Sequence, residues 1–115
     1  MTSISKLISQ LISFRDARDW SQFHNPKNLA SSISIEAGEL LEHFQWLKPD
    51  ESKQYIKDHK KEVSSEMADV LNYLLIMAHD ADIDLVDASI KKIEENNKKY
   101  PIEKSKGKSL KYNKL

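Results

Sequence analysis

Two short stretches carry acids at the same spacing, Glu36-Ala37-Gly38-Glu39 and Glu66-Met67-Ala68-Asp69. On a helix, residues three apart differ by about 60° in azimuth and about 4.5 Å in rise, so each pair can converge on one point. None of the four acids has a Lys or Arg three or four residues away, whereas Glu94 and Glu95 have Lys98 and Lys99 four residues on. Four carboxylates gathered without cationic partners repel one another and are costly to desolvate, and a cation resolves both problems. All-oxygen ligation suits a hard ion such as Mg²⁺ or Mn²⁺, and Mg²⁺ is commonly shared between carboxylates and phosphates. The alternative reading is a pair of polar helix faces or an interchain contact.

The small residues Gly38 and Ala68 between the acids are expected to let two helices approach closely. A di-iron bundle needs Glu-x-x-His from two helices, and His43 follows Glu39 by four and Glu42 by one, so oxygen-activating iron is not favoured. Trp46 lies seven residues after Glu39, and Tyr73 seven after Glu66. Seven residues is nearly two turns, which puts each ring on the stripe of its acid. Such rings are either plain core or a platform on which a nucleotide base can stack.

The elements that must position these groups are helical. Glycine and proline are few, and β-branched runs are scarce. Ile4, Leu7, Ile8, Leu11 and Ile12 recur at helical spacing, with Thr2 or Ser3 as the cap, and predict a helix to about Asp16. The stretch from Trp20 to Asn28 has turn chemistry around Pro26 and reads as an ordered loop. Ile33, Ala37, Leu40, Leu41, Phe44 and Leu47 predict a second helix, closed by Lys48-Pro49. Asp50 is the expected cap of a third, with Val63, Met67, Val70, Leu71, Leu74, Leu75 and Ala78 on its apolar side and a break allowed near His59. Asp84 caps a last helix that Pro101 ends. The expected fold is all-α, an antiparallel bundle of four to five helices over residues 1–101, completed by oligomerisation. Residues 102–115, with Lys104, Lys106, Lys108, Lys111 and Lys114, read as a basic tail, either a solvated end or a lid.

Eighteen basic residues balance eighteen acidic ones, so no global charge favours duplex nucleic acid or an anionic membrane. Cysteine is absent, which excludes disulfides, thiol nucleophiles and Cys-zinc sites. No apolar run is long enough to span a bilayer, and Lys6 with its neighbouring serines interrupts any leader-like stretch at the start, so a cytoplasmic protein is expected. A chain of 115 residues builds a modest core, which makes help from a second copy plausible.

Taken together, these residues resemble the MazG-type nucleoside triphosphate pyrophosphohydrolases, in the short single-domain branch that includes the dCTP pyrophosphatases. The resemblance rests on Glu36-x-x-Glu39, a gap of 26 residues and Glu66-x-x-Asp69. It also rests on the lead-in from Asp19-Trp20 through Phe23-His24 to Lys27-Asn28-Leu29, the run from Glu36 to Trp46, and Asn96 to Pro101 followed by Gly107-Lys108-Ser109 and Lys111-Tyr112. It spans about residues 14–112.

The resemblance implies that Glu36, Glu39, Glu66 and Asp69 hold Mg²⁺, or that one of them orients water instead, in a site that splits a nucleoside triphosphate into monophosphate and pyrophosphate. It implies that Trp20, Trp46 and Tyr73 line a base pocket, that Asn96 lies near base or sugar, and that Lys27, Asn28, Lys99, Lys108, Lys111 and Tyr112 take phosphate-side or lid positions. His24 either touches substrate or only pins its loop, while His43, His59 and His79 default to surface or packing roles. The resemblance further implies a dimer or a tetramer built from dimers. The tail departs from the family pattern in carrying lysine where relatives often carry arginine, and lysine lacks the bidentate fork. Other readings are related all-α enzymes acting on dUTP or phosphoribosyl-ATP, a non-enzymatic oligomerisation module, and single-stranded nucleic-acid binding by the tail and tryptophans.

Overall fold

A computed structural model describes residues 3–115 of the chain. The described residues form six α-helices and two 3₁₀ turns, with no strand among them. They are α1 (Ile4–Ala17), α2 (Pro26–Glu42), α3 (Pro49–Asp58), α4 (Lys60–Asp80), α5 (Leu85–Lys99) and the single turn α6 (Ile102–Ser105), with 3₁₀ turns at Ser21–Phe23 and Tyr112–Lys114. Packing divides the chain into two units, Met1–Asp82 and Ile83–Leu115.

Side-chain caps fix three helix starts by accepting otherwise orphaned amide hydrogens. Ser3 Oγ accepts from the Lys6 amide at 3.2 Å, while Thr2, the other expected cap, lies outside the described residues. Asn25 Oδ1 accepts from the Asn28 amide at 2.9 Å, with Pro26 in the first turn of α2. Asp84 Oδ1 accepts from the Asp87 amide at 3.0 Å. Asp50 is not a cap. Pro49 opens α3, and Asp50 sits in its first turn, where a negative charge favours the helix dipole.

In the first unit α4 packs chiefly against α2, and also against α1 and α3. Leu29, Val63, Leu75, Ile76 and Ala78 are buried. Leu29 near the start of α2 and Leu75 late in α4 are the largest fully buried side chains. The break between α3 and α4 falls at His59, as the sequence allows, and the His59 ring stacks on Tyr55 at 4.0 Å.

Three further expectations need correction. The predicted 20–28 loop is partly helical, because Pro26 with its fixed φ already belongs to α2. The second helix stops at Glu42 and continues as turns through Trp46, so Trp46 does not share a helical stripe with Glu39. Gly38 is not needed for close helix approach within the chain, since a Cβ there would meet nothing within 4 Å.

Candidate metal and nucleotide site

The packing of α2 on α4 brings three of the four acids, Glu36, Glu39 and Glu66, into one cluster, with Asp69 outside it but close enough to act on Glu36 and Glu66 by its charge. Ligand oxygens of Glu36, Glu39 and Glu66 all lie within 4.8 Å of one another. Glu36 Oε2 and Glu66 Oε2 are buried and have no hydrogen-bond partner. Burial first, then the neighbouring Glu39, Asp69 and Glu66 carboxyls, push the Glu36 carboxyl up from 4.5 to about 7. Burial also raises Glu66, helped by Glu39 and Asp69 and opposed by the nearby His43. Buried acceptor oxygens without donors, crowded by like charge, form a donor set suited to a hard divalent cation. The cluster can bind a metal.

Beside the acids lies a cavity of about 240 Å³ within the first unit. Asp69 opens onto it together with Trp20, His24, Asn72 and Tyr73. Leu11, Phe14 and Ile76 supply its apolar floor, and Arg15 forms part of the wall. Asp69, Asn72, Tyr73 and Ile76 follow an i, i+3, i+4, i+7 pattern, so one face of α4 runs from the acidic cluster into the cavity. Trp20 stands edge-on to Phe14 with ring centroids 5.7 Å apart, and Arg18 stacks on the other partner, 3.7 Å from the Phe14 centroid. Arg15 is tied elsewhere: its Nη1 donates to both Asp80 oxygens at 2.9 and 2.8 Å. His24 lines this cavity, and its buried Nδ1 has no hydrogen-bond partner.

The remaining sequence candidates are placed as follows. Lys27 is exposed in the first turn of α2. The Asn28 amide nitrogen Nδ2 donates to the Phe23 carbonyl at 3.1 Å, which braces the loop that carries Trp20 and His24. Trp46 is 88% exposed and is not part of the cavity wall. Asn96, Lys99, Lys108, Lys111 and Tyr112 belong to the second unit. There Lys99 pairs with Glu95 at 3.0 Å and lies 5.1 Å from the centroid of Tyr112, whose ring is edge-on to Tyr100. His43 contributes packing, with Nδ1 2.7 Å from the Tyr55 hydroxyl.

Sequence reading missed Leu11, Phe14, Arg15, Asn72 and Ile76 as cavity residues. The signal for Asn72 was present, because it lies three after Asp69 and next to Tyr73. Arg15 extends the stripe of Leu7, Ile8 and Leu11, where a charged residue signals a buried partner.

The model of the MazG-like family matches residues 31–115, which include both acidic pairs. The chain belongs to the MazG-like family. Among curated proteins, dCTP pyrophosphatase 1 of Bos taurus is 38% identical over 105 residues, covering 89% of this chain and 62% of the bovine one. The Homo sapiens protein of that name is 36% identical over 104 residues, covering 89% of this chain and 61% of its own. The chain thus spans about three fifths of the length of these curated relatives. A pyrophosphatase from Archaeoglobus fulgidus DSM 4304 superposes with a TM-score of 0.84 at 46% identity, covering 88% of this chain and 94% of that one. That likeness is one of fold, and the described residues of this chain are helical, with no strand among them. No helix among the described residues is long and apolar enough to cross a membrane.

Proposed function

We propose that this MazG-like chain is a cytoplasmic nucleoside triphosphate pyrophosphohydrolase, acting on deoxynucleoside triphosphates with dCTP preferred, and that it serves to clean the nucleotide pool. The observation that carries the reading is the adjacency of the acidic cluster of Glu36, Glu39 and Glu66 to the aromatic cavity, with Asp69 lining the cavity and close enough for its charge to raise Glu36 and Glu66. The activity named for the curated relatives and for the archaeal neighbour points the same way.

Glu36, Glu39, Glu66 and Asp69 would hold Mg²⁺, with Mn²⁺ as a substitute. When bound, such an ion supplies a Lewis acid that activates water and offsets phosphate charge. A carboxylate among Glu36, Glu39 and Glu66 takes the proton from the attacking water. Water oxygen bonds to the α-phosphorus, the bond from that phosphorus to the bridging oxygen breaks, and pyrophosphate leaves. Trp20 and Tyr73 stack on or flank the base, with His24 at the cavity wall. Lys27 and Asn28 at the α2 start serve the phosphates. Asn96, Lys99, Lys108, Lys111 and Tyr112 are assigned to sugar, phosphate or lid roles by the family resemblance, with residues 102–115 as the lid.

The chain is further proposed to work as a homodimer or a dimer-of-dimers tetramer. An open apolar groove of about 430 Å³ between α2, α3 and α4 leaves Leu41, Met67 and Ile56 at 59%, 57% and 44% exposure. Solvated apolar surface of this kind favours burial against a second copy. The exposed Trp46 would meet a neighbouring copy's site in that assembly.

The test is pyrophosphate release from the four deoxynucleoside and four ribonucleoside triphosphates, with Mg²⁺ and with EDTA. Release from dCTP that needs the divalent ion is expected. No release from any of them overturns the proposal.

A further inference from the structure

Resting on that reading, we infer that Asn72 is a specificity-determining residue that reads the exocyclic group at C4 of a pyrimidine base. The polar groups around the cavity differ in what they have left to give. Arg15 is held by Asp80 and Asp16. Asp69 faces the acidic cluster, whose charge raises Glu36 and Glu66. Asn72 is half-buried and lines the cavity. Its position on α4 is next to Tyr73 and one turn beyond Asp69, so a base lying against the Tyr73 ring brings its edge to the carboxamide while its triphosphate extends toward the acids.

A carboxamide offers a donor and an acceptor side by side, which is the group that pairs with base edges. A carboxamide can turn over to present either its oxygen or its nitrogen. It can accept from a 4-amino group or donate to a 4-carbonyl. The cavity therefore recognises a pyrimidine with either substituent and rejects one with none, because the amide would then be left unpaired in a partly dry pocket. The volume of about 240 Å³ accommodates a single-ring base.

The experiment compares dCTP, dUTP and the 2′-deoxynucleoside triphosphate of pyrimidin-2-one, which lacks a group at C4. In the unaltered protein kcat/KM for dCTP and dUTP is expected to exceed that for the pyrimidinone nucleotide by about 10- to 100-fold, mostly through KM. In Asn72→Leu and Asn72→Ala, checked for native helicity by circular dichroism, that preference shrinks to within about threefold while kcat changes little. Should the unaltered protein treat all three alike, or should the variants lose the three substrates equally, the inference fails while the pyrophosphohydrolase reading stands. Absence of pyrophosphate release from every nucleotide overturns both.

Discussion

Glu36 on α2 and Glu66 on α4 bring carboxylate oxygens within 4.8 Å of each other and of Glu39, and each keeps a buried Oε2 without a hydrogen-bond partner. Two helices are thus packed so that like charges meet, an arrangement that costs stability in the ion-free protein. The behaviour of that cluster with pH, with metal and with mutation can be stated in advance.

The first prediction concerns pH. The Glu36 carboxyl is raised from 4.5 to about 7, so the folded ion-free protein holds a proton that the unfolded chain has released. The associated stability is complete below pH 4.5 and is lost as pH rises through about 7. Thermal unfolding in EDTA should therefore show a midpoint lower at pH 8 than at pH 6, by a few degrees, since ~1 kcal/mol moves a domain of this size by about 4–8 °C. Adding Mg²⁺ at pH 8 should recover the loss. An unchanged midpoint over this range in EDTA would contradict the crowding of the acids.

Glu66→Gln separates function from folding. Removing one charge relieves repulsion, so the variant should unfold at the same temperature as the parent protein in EDTA or at a higher one. Its Mg²⁺-dependent pyrophosphate release should fall by at least ~100-fold, the scale of losing one group that stabilises charge in the transition state. Calorimetry and the release assay on one preparation decide the matter, and a variant that is both unstable and inactive would speak for a merely structural acid.

The Arg15–Asp80 pair should hold α1 to the end of α4. Arg15 has a side chain only 9% exposed, and Asp80 is 30% exposed. Losing one partner of a fully buried pair costs about 3–5 kcal/mol, and the wetter Asp80 end argues for about 2–3 kcal/mol in Asp80→Ala. Burial alone would raise the Asp80 carboxyl, but the Arg15 and His79 hydrogen bonds hold it below its ordinary value of 3.8. Its contribution is present above that value and disappears as pH falls through the depressed one. Urea titrations at neutral pH measure the difference directly.

Assembly is tested at the apolar groove. Leu41→Glu places a charge where 59% of an apolar side chain is exposed, so the isolated chain should tolerate it. A partner burying that surface should not. Light scattering after gel filtration is expected to show the parent as a multimer and the variant shifted toward monomer at micromolar concentration. Identical masses would remove this groove from the interface.

The helices, their caps at Ser3 and Asp84, and the acidic pairs were legible in the sequence because they depend on local geometry. Spacing along one helix fixes which side chains share a face, and a capping oxygen reaches only a few residues. The end of α2 at Glu42 was not legible, since apolar residues at 44 and 47 continue the helical period while the backbone turns away, and with it Trp46. Which faces meet is a property of packing alone. Tertiary structure decided that the faces carrying Glu36 and Glu66 confront each other with two oxygens unpartnered, and that Asp69 borders a cavity shared with Trp20, His24 and Asn72. Residues distant along the chain are joined there chiefly by burial of Leu29, Val63 and Leu75, a non-directional force that no spacing rule encodes.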